Sequence, residues 1–184
     1  RERRIMRKQI YWAVSGIVAL AAWGAVLGFG GPGQEKERGS GEGFGMFSWD
    51  ETVIGPEEME ALSSVAKSAN VSVIYQTFSR ECLEGPQSAA FVAGMKDRGM
   101  DVFALMGDAA WAYEGDGKIL IEQIRYVAEY NERHKDKGRI QGVMVDVEPY
   151  LLDEWDEGKE KRAELMAGYG ACMERAYAYA SERQ

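Results

Sequence analysis

From Met46 onward the chain repeats one theme: a short apolar strand, a polar loop, then an amphipathic helix. Gly45 to Trp49 is the first candidate strand. Pro56-Glu57-Glu58 opens the first helix, with proline in the first turn and acids near the positive end of the helix dipole. Met59, Leu62, Val65 and Ala66 form its apolar stripe, and Asn70 stops it. Val71 to Phe78 is a second strand. A second helix starts at Pro86 and ends at Gly99, and Val102 to Met106 is a third strand. The spacing of Ile121, Ile124, Val127 and Ala128 predicts a third helix from near Lys118 to Lys137, closed by Gly138. A fourth strand lies within Ile140 to Tyr150. A fourth helix spans roughly Lys159 to Ser181, with Met166, Tyr169, Met173, Tyr177 and Ala180 as its stripe. Strands alternating with helices predict parallel βαβ units, hence an α/β fold.

Four such units are counted, each of the first three helices closing on a Lys-containing end and a Gly or Asn before the next strand. A complete TIM (β/α)8 barrel has eight units and roughly 250 residues. A half-barrel alone leaves strand edges open. The expectation is therefore the first half of a TIM barrel in a truncated sequence, with a small open α/β sheet as the alternative.

The segment before these units reads differently. Residues 1–9 carry Arg1, Arg3, Arg4, Arg7 and Lys8. Residues 10–29 (IYWAVSGIVALAAWGAVLGF) hold no charge and suffice to cross a bilayer of about 30 Å as a helix. The basic flank then stays in the cytoplasm and the remainder lies outside it. A cleaved signal peptide is the rival reading, disfavoured by the length of the run and the lack of a clean small-x-small site. Residues 30–45 (GGPGQEKERGSGEGFG) read as a Gly-rich linker, without the strand-before, helix-after context of a phosphate loop. Residues 46–184 form the single folded domain.

The formal net charge of −8 and the pI of about 4.9 argue against nucleic acid as a partner, because phosphate binding needs clustered Lys and Arg. One His and two scattered Cys give no metal-site spacing, and no cofactor motif is present. His134 belongs to a charged helix end. Cys82 and Cys172 read as buried free thiols, although a disulfide is permitted outside the cytoplasm.

The chemistry concentrates in the fourth strand. In Gly142-Val143-Met144-Val145-Asp146-Val147-Glu148-Pro149-Tyr150, the valines alternate with Gly142, Met144, Asp146 and Glu148. Asp146 and Glu148 therefore point to one face, roughly 6–7 Å apart along the strand. Pro149 has no N–H, so the ladder stops there. Two neighbouring acids at the end of an apolar strand are costly unless paired or used. They are read as candidate catalytic groups, against the plainer reading of carboxylates that hold loop backbone or pair with a basic residue.

With Ala104-Leu105-Met106-Gly107-Asp108-Ala109-Ala110-Trp111 and Glu129-Tyr130-Asn131, this passage carries a resemblance. Met46 to the C-terminus resembles the first half of extracytoplasmic, glycoside-hydrolase-like TIM-barrel proteins. The fourth strand is similar to the D-G-x-D-x-D-x-E motif of family 18 chitinase-like hydrolases. The match is partial: Gln141 and Met144 replace two of the motif's acids. The resemblance implies Glu148 as proton donor and Asp146 as the assisting carboxylate. It also implies a glycan substrate or ligand, of cell wall or extracellular origin. Its alternatives are a non-catalytic carbohydrate-binding surface protein on a degenerate barrel, and a structural surface protein without a ligand.

Candidate substrate-binding residues are those at or just after strand ends. Trp49, Trp111, Tyr150 and Trp155 offer rings that stack on sugars, or that simply pack on the loops. Gln76 and Asp108 offer hydrogen bonds to hydroxyls, or are solvated loop residues.

Overall fold

The computed structural model describes residues 25–28, 43–136 and 138–182. Within them lies an α/β fold with four parallel strands. These are β2 (Phe44–Ser48), β3 (Val71–Thr77), β4 (Asp101–Met106) and β5 (Gly142–Val145). The helices are α1 (Pro56–Ser68), α2 (Arg80–Glu84), α3 (Pro86–Asp97), α4 (Lys118–Arg133) and α5 (Lys159–Ser181). Short 3-10 turns at Glu51–Ile54, Ala109–Tyr113, Pro149–Leu151 and Asp153–Glu157 sit at the carboxyl ends of β2, β4 and β5. A further strand, β1 (Ala25–Gly28), runs antiparallel beside β5, so the sheet order is β1-β5-β4-β3-β2. Ala25–Gly28 is thus a strand rather than the end of the expected membrane helix, 10–29, because its backbone pairs with the open edge of β5; the rest of that segment lies outside the described residues. Among the described residues no helix is long and apolar enough to cross a membrane.

The parallel strands follow one another in chain order, with at least one helix in each crossover. Right-handed crossovers in that order place the connections on one face. Ile74, Val102, Ala104, Met106, Val143 and Val145 share that face by strand alternation and join one core with Phe91, Met95, Leu120, Ile124, Tyr130 and Ile140. Burying each of the larger apolar chains contributes about 1.5–3 kcal/mol. The opposite face carries a row of rings in register: Phe47 beside Tyr75 beside Phe103. Their centroids are 4.8 and 5.7 Å apart.

Proline opens both α1 and α3, as the sequence predicts; its missing N–H costs nothing in a first turn. Three expectations need correction. The third helix, α4, ends at Arg133 rather than Lys137. The reason is capture of the returning chain: the buried Asn131 amide donates to Ile140 O and accepts from Ile140 N, both at 2.8 Å, and Tyr130 Oη donates to Gly138 O at 2.7 Å. The buried stripe of α5 is Leu165, Cys172, Ala176 and Ala180, while Met166 and Tyr177 are exposed. Small residues win because α5 lies against the Ala109–Tyr113 turn so closely that a Cβ on Gly168 would stand 2.1 Å from Ala112 O. Finally, regular β5 pairing ends at Val145, so the two acids lie just past it.

Candidate active site

The ladder delivers Asp146 to the carboxyl end of the sheet. Gln141 N–H donates to Val102 O at 2.8 Å, and Asp146 N–H donates to Met106 O at 2.9 Å, so β4 still holds the Asp146 backbone. Gly107 makes this approach possible: a Cβ there would stand 1.9 Å from Asp146 O. A glycine directly after an apolar strand signals such close backbone contact, and it was the one legible hint missed in the sequence. Val147 packs against the core, and Asp146 and Glu148 on either side of it lie close enough for the charge of Glu148 to act on Asp146.

Both acids are half-buried. Tyr150 Oη donates a hydrogen bond to Glu148 Oε1. Burial, and then the charge of Glu148, push the Asp146 carboxyl above the usual aspartate range. Tyr150 is pushed up to about 12, first by desolvation, then by its bond to Glu148, then by the charges of Glu148 and Asp146. From α5, Tyr169 is also raised, by burial first and by Cys172 and Asp146 after it. Burial and a neighbouring carboxylate both strengthen the hold of Asp146 on its proton, the direction that general acid catalysis requires.

The aromatic candidates separate. Trp155 is half-buried; its ring meets Tyr150 edge-on with centroids 6.5 Å apart, and Arg162 Nε donates to its carbonyl at 2.6 Å. Trp49 and Tyr150 are exposed at the same end of the sheet. Trp111 is different: it is 9% exposed and part of the main core, so packing rather than a ligand covers its ring.

The polar candidates also have structural occupations. Gln76 is fully buried inside β3 rather than in a loop, and its amide donates to Asp50 O at 3.1 Å and Thr77 O at 2.9 Å. It ties the turn after β2 to the end of β3. Asp108 is exposed and accepts from Ala110 N at 2.8 Å, capping the 3-10 turn that carries Trp111. Sequence reasoning missed Arg162 and Tyr169, which approach the site only because α5 folds back; neither carries a local signal.

Cys82 and Cys172 are free thiols. Burial, then the charge of Glu51, push Cys82 up to about 11, so it is a poor nucleophile. Among the described residues no group of three or more His, Cys, Asp or Glu is placed to hold a metal ion. No protein-family model, curated protein or solved structure matches this chain.

Proposed function

We propose that the chain is a membrane-tethered, extracytoplasmic, glycoside-hydrolase-like protein. In this reading the four βα units are the first half of a (β/α)8 barrel, and Asp146 and Glu148 are its catalytic carboxylates. The observation that carries the reading is the position and state of the pair: two half-buried acids at the carboxyl end of a parallel strand, one of them raised by burial and by the other's charge. Barrel enzymes place their catalytic groups at that end. The four parallel strands follow chain order, as barrel strands do and unlike a doubly wound sheet, whose order reverses at a switch point. On this reading β1, antiparallel on the outer edge of β5, occupies the edge that a fifth barrel strand would take. The tether rests on the basic flank and uncharged run within residues 1–24 of the sequence, since Ala25–Gly28 is strand β1.

Chemically, a glycosidic oxygen leaves poorly unless it is protonated as the bond breaks. A carboxyl whose hold on its proton is strengthened by burial and by a neighbouring carboxylate supplies that proton, and a carboxylate beside it supports positive charge developing on the sugar. The test is a panel of glycans assayed for hydrolysis and for binding in the full-length protein. Asp146→Asn and Glu148→Gln should each lower turnover by roughly 10²–10⁴-fold while binding persists. Wild-type turnover on no glycan, with binding retained, would move the protein to a second reading. That reading is a non-catalytic carbohydrate-binding surface protein, favoured by the exposed Trp49 and Tyr150 at the same end of the sheet. Neither binding nor turnover would remove both readings. The tether is tested separately: protease added outside intact cells should cut the domain, and a high-salt wash should not release it.

A further inference from the structure

Glu148 and Asp146 are held by unlike means. The segment from Glu148 to Glu157 is tightened by two 3-10 turns, with Leu151 N–H on Glu148 O at 3.0 Å and Trp155 N–H on Leu152 O at 3.1 Å. At its far end Arg162, in the first turn of α5, clamps Trp155. It donates to the Trp155 carbonyl, and its guanidinium stands 5.6 Å from the indole centroid. Trp155 in turn meets the Tyr150 ring edge-on at an interplanar angle of 75°. The series ends with the Tyr150 hydroxyl on Glu148. Asp146 has no such partner: among the described residues its carboxyl receives no side-chain hydrogen bond, and it is fixed through its backbone.

We infer that Tyr150 is a positioning residue rather than a sugar platform. Its hydroxyl fixes Glu148 as a hydrogen-bond acceptor, and Asp146 is therefore the carboxyl that carries the proton to the departing glycosidic oxygen. The inference rests on the glycan-hydrolysis reading and reverses the roles that the family resemblance implies. A Glu148 oxygen that already accepts from the Tyr150 hydroxyl is occupied and is not presented to a departing oxygen, whereas among the described residues no side chain holds the Asp146 carboxyl. The nearby charge and the burial then both act on Asp146. The titratable groups facing Asp146 are Glu148 and Tyr150 from its own segment and Tyr169 from α5. In the step itself, the C–O bond breaks with its electron pair leaving on oxygen, and that oxygen takes the Asp146 proton. Water adds to the anomeric carbon, and its surplus proton returns to the Asp146 carboxylate.

The experiment has two arms on the full chain. In the first, carboxyl ¹³C NMR follows the titration of Asp146 in the wild type, Tyr150→Phe and Glu148→Gln. Asp146 should titrate above the usual aspartate range and move down in both variants, since each weakens or removes the anion beside it. An Asp146 titration unmoved by Tyr150→Phe overturns the positioning role, whether or not any substrate is known. Tyr150 is exposed and Tyr150→Phe keeps its ring, so folding and any stacking on sugar are preserved.

The second arm is kinetic. Tyr150→Phe should lower kcat roughly 10–100-fold with KM nearly unchanged and shift the pH profile, whereas a stacking role predicts no change. Asp146→Asn should lose roughly 10²–10⁴-fold on alkyl glycosides but under about tenfold on aryl glycosides whose phenol departs without a proton. If Glu148→Gln shows that selective rescue instead, the assignment of Asp146 is wrong. No turnover of any glycoside would remove the hydrolytic reading and with it the proton-carrier assignment, and the first arm would still decide the role of Tyr150.

Discussion

At the start of β5, Asn131 spends its whole amide on the backbone of Ile140, giving one hydrogen bond and receiving one, inside a fully buried setting. At the other end, Asp146 and Glu148 sit half-buried beside each other, and among the described residues the side-chain hydrogen bond they receive is that of a tyrosine hydroxyl on Glu148. Both are polar groups brought to a strand terminus by the same apolar run. The first is satisfied and structural. The second keeps two like charges close, which costs stability and leaves reactive capacity. Unsatisfied electrostatics, more than polarity itself, mark the end at which chemistry is proposed.

The comparison breaks first at Trp111, which follows β4 at the same end of the sheet as the acids but packs in the core. Trp111→Ala should cost about 3–5 kcal/mol in urea unfolding, through lost burial and the cavity left behind. A stable variant with weakened glycan binding would instead place its ring in the site. Next is Asn131→Ala, which strands the N–H and C=O of Ile140 in an apolar setting. A loss of about 2–4 kcal/mol is expected, with amide exchange in β5 accelerated. A change below about 0.5 kcal/mol would mean that water replaces the amide, and the start of β5 would no longer count as the satisfied end.

The smallest effect is at the acids, and its sign is opposite. The carboxyl of Asp146 is raised in the fold, so its stabilising contribution is present below the ordinary aspartate range and lost as pH rises through the folded value. Asp146→Asn should therefore be more stable than the wild type at neutral pH, and the gain should vanish in acid. Equal stability of the two proteins across the whole pH range would show that the pair is relaxed and the contrast between the ends of β5 unfounded.

Much of the fold was legible in local chemistry. Pro56 and Pro86 mark helix starts because proline is tolerated only there, and both helices begin where they should. Val71–Phe78 and Val102–Met106 read as strands because β-branched and aromatic residues run in short apolar blocks between turn signals, and the strands lie at Val71–Thr77 and Asp101–Met106. The five-residue helix α2 was not legible: it is too short to show a period, and its only signal is Ser79, whose side chain caps Cys82 N–H at 3.2 Å.

For the candidate site, period-two alternation predicted Asp146 and Glu148 as neighbours, and the charge of Glu148 does act on Asp146, although regular pairing ends before both. The sequence by itself thus determined the α/β alternation, the starts of α1 and α3 and the nearness of the two acids. Tertiary structure decided the rest. It buried Trp111 and Gln76, turned the small-residue side of α5 inward, ended α4 at Arg133, and brought Arg162 and Tyr169 toward the carboxylates. Those outcomes depend on which surfaces meet across the sheet and across α5. Close packing fixes them through contacts between residues far apart in the chain, and no local pattern encodes such contacts.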